Sequence, residues 1–94
     1  MLLERTELLI KDGHEAAFEA AMKAEGIALL GSVPGIVSVN LGRGVENPAK
    51  FMLLVEWKHM DAHVAYNKTP VSGAIRALIL PFSKGGSMEH FEMG

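Results

Sequence analysis

His59 and His63 stand four residues apart in "VEWKHMDAHVAYNKTP", residues 55–70, directly after a run that ends in Trp57. On a helix that spacing puts both imidazoles on one face, and imidazole nitrogen is a common zinc ligand. "HMDAH" also resembles the zinc-protease pattern H-E-x-x-H, but Met60 stands where the general-base glutamate is required. His59 falls at the frayed first turn of the expected helix. A closed site needs three or four convergent ligands, and the next would have to come from Asp61, His90 or His14. Two polar residues on an exposed helical turn account for the spacing, and no metal site is expected.

Other side chains offer different chemistry. The chain has no cysteine, which excludes disulfides, thiolate nucleophiles and thiolate metal sites. "GRGVEN", residues 42–47, lacks the third glycine of a dinucleotide fingerprint and joins strand to strand, so no helix N-terminus is available to hold a phosphate. Its glycines suit a bulge or a tight turn. On the first strand, Glu4 and Thr6 share a face with Leu2, Leu8 and Ile10. If that face is the core side, both need partners or a ligand; if the alternation is loose, Glu4 reaches solvent at the sheet end. Arg76, in "SGAIRALILPF", lies beside the apolar stripe Ile75, Leu78 and Ile79. Such an arginine forms a surface ion pair or, at a pocket rim, stabilises a developing oxyanion. Trp57 is either a core residue with its indole N–H paired or a wall for a planar ligand.

The elements that must position these residues follow from the pattern. Residues 2–10 read as a strand, "KDGH" as a turn, and the Ala-, Glu- and Leu-rich run "EAAFEAAMKAEGIALLGS" as one helix with Phe18, Met22, Glu25 or Gly26, and Leu29 on one face. "GIVSVNLGRG" and "FMLLVEW" are strands joined by a hairpin-like loop. A helix follows over roughly residues 59–67, then a second opening at Thr69-Pro70, where Thr caps and Pro suits the first turn. "SKGGS" leads into a last strand, "MEHFEM".

The order β-α-β-β-α-β, with an extra helical turn, predicts an α+β fold over residues 1–94 as one domain: a ferredoxin-like split β-α-β sandwich with a four-stranded antiparallel sheet and helices on one face. In "FMLLVEW", Phe51, Leu53, Val55 and Trp57 point one way and Met52 and Leu54 the other, so both sheet faces are apolar there. One helical layer covers only one of them. A symmetric homodimer with stacked sheets, a dimeric α+β barrel, would cover the second.

The net charge of −2, with no basic cluster, gives no footprint for nucleic acid or an anionic membrane. Glu4, Arg5 and Glu7 break the apolar N-terminus before any spanning length, and a cytoplasmic location is expected.

"VEWKHMDAHVAYNKTP", with the Lys-x-Gly turn, the Ala-rich helix, "PGIVSVNL" and the closing His-aromatic strand, resembles the antibiotic biosynthesis monooxygenase family over nearly the whole chain. The resemblance implies a homodimer with a pocket between sheet and helices. It also implies oxidation of a small phenolic, quinol or polyketide-like aromatic by molecular oxygen without metal, flavin or other cofactor. His63 and Arg76 are then the expected catalytic residues, with Trp57, Tyr66, Thr6 and Glu4 contacting substrate. A related branch degrades haem with Asn, Trp and His at positions that fall here on Thr6, Tyr66 and Arg76. All three differ and the iron-binding His is missing, so haem is not expected. The alternative is a non-catalytic barrel of the same fold that binds a small apolar ligand or a partner protein.

Overall fold

A computed structural model describes residues 1–94. Strand β1, Leu2–Ile10, alternates strictly between inward and outward residues. Its inward set is Leu2, Glu4, Thr6, Leu8 and Ile10, all buried. The alternation is therefore not loose, and Glu4 does not reach solvent. Strands β2, Ile36–Arg43, and β3, Lys50–Trp57, form an antiparallel hairpin. β3 inserts between β2 and β1, and β4, Ser83–Glu92, lies along the other side of β1. The order β2-β3-β1-β4, antiparallel at every junction, is the ferredoxin-like arrangement.

The helical layer departs from expectation in one respect. The run after the first turn is not one regular helix: α1, Glu15–Ala21, passes through a π-helical segment, Met22–Gly26, into α2, Ile27–Gly31. Its buried residues Phe18, Met22, Gly26 and Leu30 recur every four positions. That stripe would drift around a helix of 3.6 residues per turn. The wider π turn absorbs the excess and keeps the stripe facing the sheet. Helices α3, Met60–Tyr66, and α4, Pro70–Ile79, complete the layer. As expected, Thr69 caps α4, its hydroxyl accepting from the Ser72 N–H, with Pro70 in the first turn.

β4 also starts earlier than the sequence suggests, because "SKGGS" is part of it. Ile10 pairs with Ser83 but Leu9 with Gly85, so Lys84 is an extra residue in a β-bulge. Gly85, at φ 150°, supplies the backbone conformation this requires.

Between sheet and helices lies a core in which Ile10, Phe18, Met22, Phe51, Val55 and Trp57 are fully enclosed. The Phe18 ring meets Phe51 edge-on at 4.9 Å and Phe82 at 5.9 Å. Aromatic packing therefore closes this end of the sandwich. The opposite sheet face has no helical cover. It carries the exposed Leu54 and Phe91 together with an Arg5–Glu89 ion pair at 2.7 Å. No helix is long and apolar enough to cross a membrane.

Gly35 sets the approach of α3 to the sheet. It has φ 91°, its carbonyl accepts from the Lys58 N–H at 2.8 Å, and a side chain there would run into Ala62 Cβ. Gly35→Ala is therefore expected to destabilise the fold by about 1–3 kcal/mol through overpacking and a disfavoured backbone conformation. Urea unfolding measures this.

Candidate active site

Sheet register brings the polar residues of the core together. Glu4 lies on the central strand opposite Val55 on one side and His90 on the other. Glu4 is 5% exposed, and in such a place a carboxylate needs donors. Trp57 supplies one, the indole N–H donating to Oε1 at 3.0 Å. Thr6 supplies the second, its hydroxyl donating to Oε2 at 2.7 Å. Both oxygens are thus occupied on one side, which fixes the carboxylate plane.

α3 lowers His63 onto this group. Its Nε2 lies 3.5 Å from Glu4 Oε1, beyond a good hydrogen bond, so this nitrogen is not committed to the carboxylate. The ring stands edge-on to Trp57 at 5.2 Å and contacts His90 at 4.4 Å between centroids. Burial pushes the His63 pKa below the usual histidine value, with the Glu4 charge opposing and His90 reinforcing the shift. The imidazole is therefore neutral near pH 7 and has a lone pair to offer. Burial, helped by Glu4, raises the Tyr66 pKa, so that side chain stays a phenol.

These groups border a cavity of about 260 Å³ between the sheet and helices α3 and α4. Glu4, Thr6, His63 and Tyr66 line its polar side, Leu8, Leu30, Leu53, Ile75 and Ile79 its apolar side, and the exposed Arg76 its rim. Apolar walls with a few convergent polar groups are the usual form of a small-molecule site.

The fold family of this arrangement is identifiable. Residues 1–78 match the family model for antibiotic biosynthesis monooxygenases. The chain belongs to that family. It superposes on a family protein from Bordetella bronchiseptica with a TM-score of 0.89 and 27% identity, covering 99% of this chain and 96% of the other. SnoaB, a cofactor-independent oxygenase from Streptomyces nogalater, superposes with a TM-score of 0.85 over 99% of this chain and 92% of its own. At 18% identity, that likeness is one of fold. The uncharacterized protein YczJ of Bacillus subtilis is 32% identical over 63 residues, which make up 67% of this chain. The matched segment spans only 65% of the length of YczJ.

Of the residues singled out from sequence, Glu4, Thr6, His63, Tyr66 and Arg76 all border the one cavity. Trp57 does not. Its ring is fully buried and its N–H is used on Glu4, so it braces the carboxylate from beneath and forms no wall of the pocket. Whereas His63 is buried, His59 precedes α3 with extended backbone (φ −165°, ψ 166°) and is exposed. It borders a separate surface groove with Lys58 and Asp61. His14 is exposed at the start of α1.

From sequence, His90 stood out only as a possible third metal ligand beside His59 and His63, not as a neighbour of Glu4. It faces Glu4 only because of the β1–β4 register, and no spacing along the chain reveals that. Glu4→Ala is expected to destabilise the protein by about 1–3 kcal/mol for each donor stranded, on Trp57 and Thr6. Chemical denaturation followed by Trp57 fluorescence measures the loss.

Proposed function

We propose that this protein is a cofactor-independent monooxygenase acting on a small phenolic, quinol or polyketide-like aromatic. The observation that carries the reading is a single apolar cavity bordered both by a buried neutral imidazole, His63, and by a guanidinium, Arg76. Family membership supports the reaction class.

His63 acts as the base. It takes the proton of the enol or phenol, and the imidazolium formed gains stabilisation from the Glu4 carboxylate 3.5 Å away. Arg76 at the rim stabilises the oxyanion. Tyr66, Thr6 and Glu4 hold the substrate's polar edge. Trp57 contributes through Glu4, by fixing the carboxylate that steadies the base.

The electron-rich anion then gives electrons to molecular oxygen. For an anthrone-type substrate, the ring methylene carbon becomes a carbonyl, taking one oxygen atom. The two hydrogens it loses leave with the other oxygen atom as water. The substrate supplies all the electrons, so the balance closes with no added reductant.

A homodimer with stacked sheets belongs to the same proposal, as does a cytoplasmic location. The exposed Leu54 and Phe91 on the uncovered sheet face support the dimer, since a second copy would remove both from water. Leu54→Glu, which would place a charge in that interface, is expected to yield monomer by analytical ultracentrifugation. A monomeric parent protein would overturn this part.

The reaction is tested by oxygen uptake of chelator-treated protein with panels of anthrones and quinols. Uptake above blank is expected, falling roughly 100-fold or more in His63→Ala and roughly tenfold to a hundredfold in Arg76→Ala. No uptake on any substrate, with a co-purified apolar ligand, would favour the non-catalytic barrel. Unchanged rates in the two variants would remove the residue assignment.

A further inference from the structure

We propose that Glu4, His63 and His90 form a binding site for one first-row divalent metal ion, with zinc(II) as its simplest occupant, beside the cavity. Each residue offers one ligand atom, and the three atoms lie within 4.8 Å of one another. The 3.5 Å between His63 Nε2 and Glu4 Oε1 is close to the roughly 3.4 Å that separates two ligands about 2.0–2.1 Å from a tetrahedral zinc. The separations in the set, at most 4.8 Å, would close to about that tetrahedral value around one ion.

Two further observations point the same way. The His90 Nε2 atom is buried and has no hydrogen-bond partner, and a buried polar nitrogen without a partner calls for an explanation. Coordination would supply the missing partner. The Glu4 carboxylate, meanwhile, is already oriented by the Trp57 N–H and the Thr6 hydroxyl. Ligating carboxylates are held by outer hydrogen bonds of this kind, and each oxygen keeps a second lone pair for a cation.

The donor set selects the metal. Two imidazole nitrogens and one carboxylate suit zinc and its neighbours in the first row, whereas magnesium and calcium require oxygen ligands. With only three protein ligands, a fourth position remains for water or a small molecule, and Glu4 and His63 both border the cavity. His59, which spacing alone would pair with His63, has no part in the site.

The ligands come from β1, from the edge strand β4 and from α3, so an ion would tie a helix to both strands. Residues 1–78 match the family model; His90 lies beyond them, so the third ligand belongs to a segment the match does not reach. Coordination uses the His63 lone pair that proton removal needs. The metal-loaded and base-competent forms are thus alternative states of the same side chain, and no redox step is assigned to the ion.

The test titrates zinc chloride, and separately cobalt(II) chloride, into chelator-stripped protein by calorimetry and visible absorption. One equivalent per chain at micromolar affinity or tighter is expected. Cobalt should show bands of a low-coordinate nitrogen–oxygen site, and zinc should raise the melting temperature. His90→Ala, whose side chain sits on an edge strand, should weaken binding at least about tenfold while circular dichroism stays that of the parent. Glu4→Gln should do the same, and His59→Ala should bind like the parent. No stoichiometric binding, binding retained in His90→Ala, or binding lost in His59→Ala would overturn the proposal. The readout is binding alone, so a failed oxygenation assay leaves this site standing, and a failed titration leaves the oxygenation reading standing.

Discussion

A carboxylate on the inward face of the central strand is the constraint around which the site is arranged. Taking such a group out of water costs several kcal/mol unless donors meet it. Glu4 meets the only tryptophan of the chain and the hydroxyl of Thr6, two positions along its own strand. Those bonds fix the carboxylate, and with it the surface on which His63 and His90 come to rest. Trp57 is thus buried for two reasons: its large apolar surface belongs in the core, and its one polar atom has an acceptor there.

The rest of the sandwich divides the core into a solid end and a hollow one. Toward α1, the rings of Phe18, Phe51 and Phe82 fill the space edge to face. Toward α3 and α4, Trp57 packs against His63 and Tyr66 beneath a lining of aliphatic and polar side chains, and a cavity remains. The π-helical segment serves this division. It keeps Met22 and Leu30 pointed at the sheet, and at Gly26 it lets Met22 Sδ and Leu78 of α4 come close to the backbone. A regular helix would carry that stripe sideways. Gly35, in the turn just before β2, performs a comparable task for α3 by leaving room for Ala62, one residue before His63.

The two polar faces of the cavity differ in character, and that difference is chemically useful. His63 is enclosed and has lost much of its hydration, which keeps it neutral. Arg76 is at the exposed rim, where its charge stays solvated until a ligand covers it. A substrate seated between them would meet a proton acceptor on the dry side and a cation on the wet side. Enclosure also strengthens any charge interaction formed once water is excluded.

Much of this was written in the chain itself. The period of the strands, the Thr-Pro start of α4, the ferredoxin-like order and the family resemblance are local or sequential properties, and the structure agrees with them. Glu4 and Thr6 stood out as polar residues on an apolar face, and His63 and Arg76 as candidates for a pocket. Other features follow from long-range pairing. Whether Glu4 is buried depends on β1 being central in the sheet, and whether His90 joins it depends on how β4 aligns with β1. His59 and His63, neighbours by spacing, differ in setting: the helix starts only at Met60, His59 is exposed and His63 is buried. Sequence therefore determined which elements form and which faces they bury, since those depend on residue type and period. Only the tertiary structure decided which buried polar groups meet, because contacts between distant strands and helices are set by register and by the approach of one backbone to another.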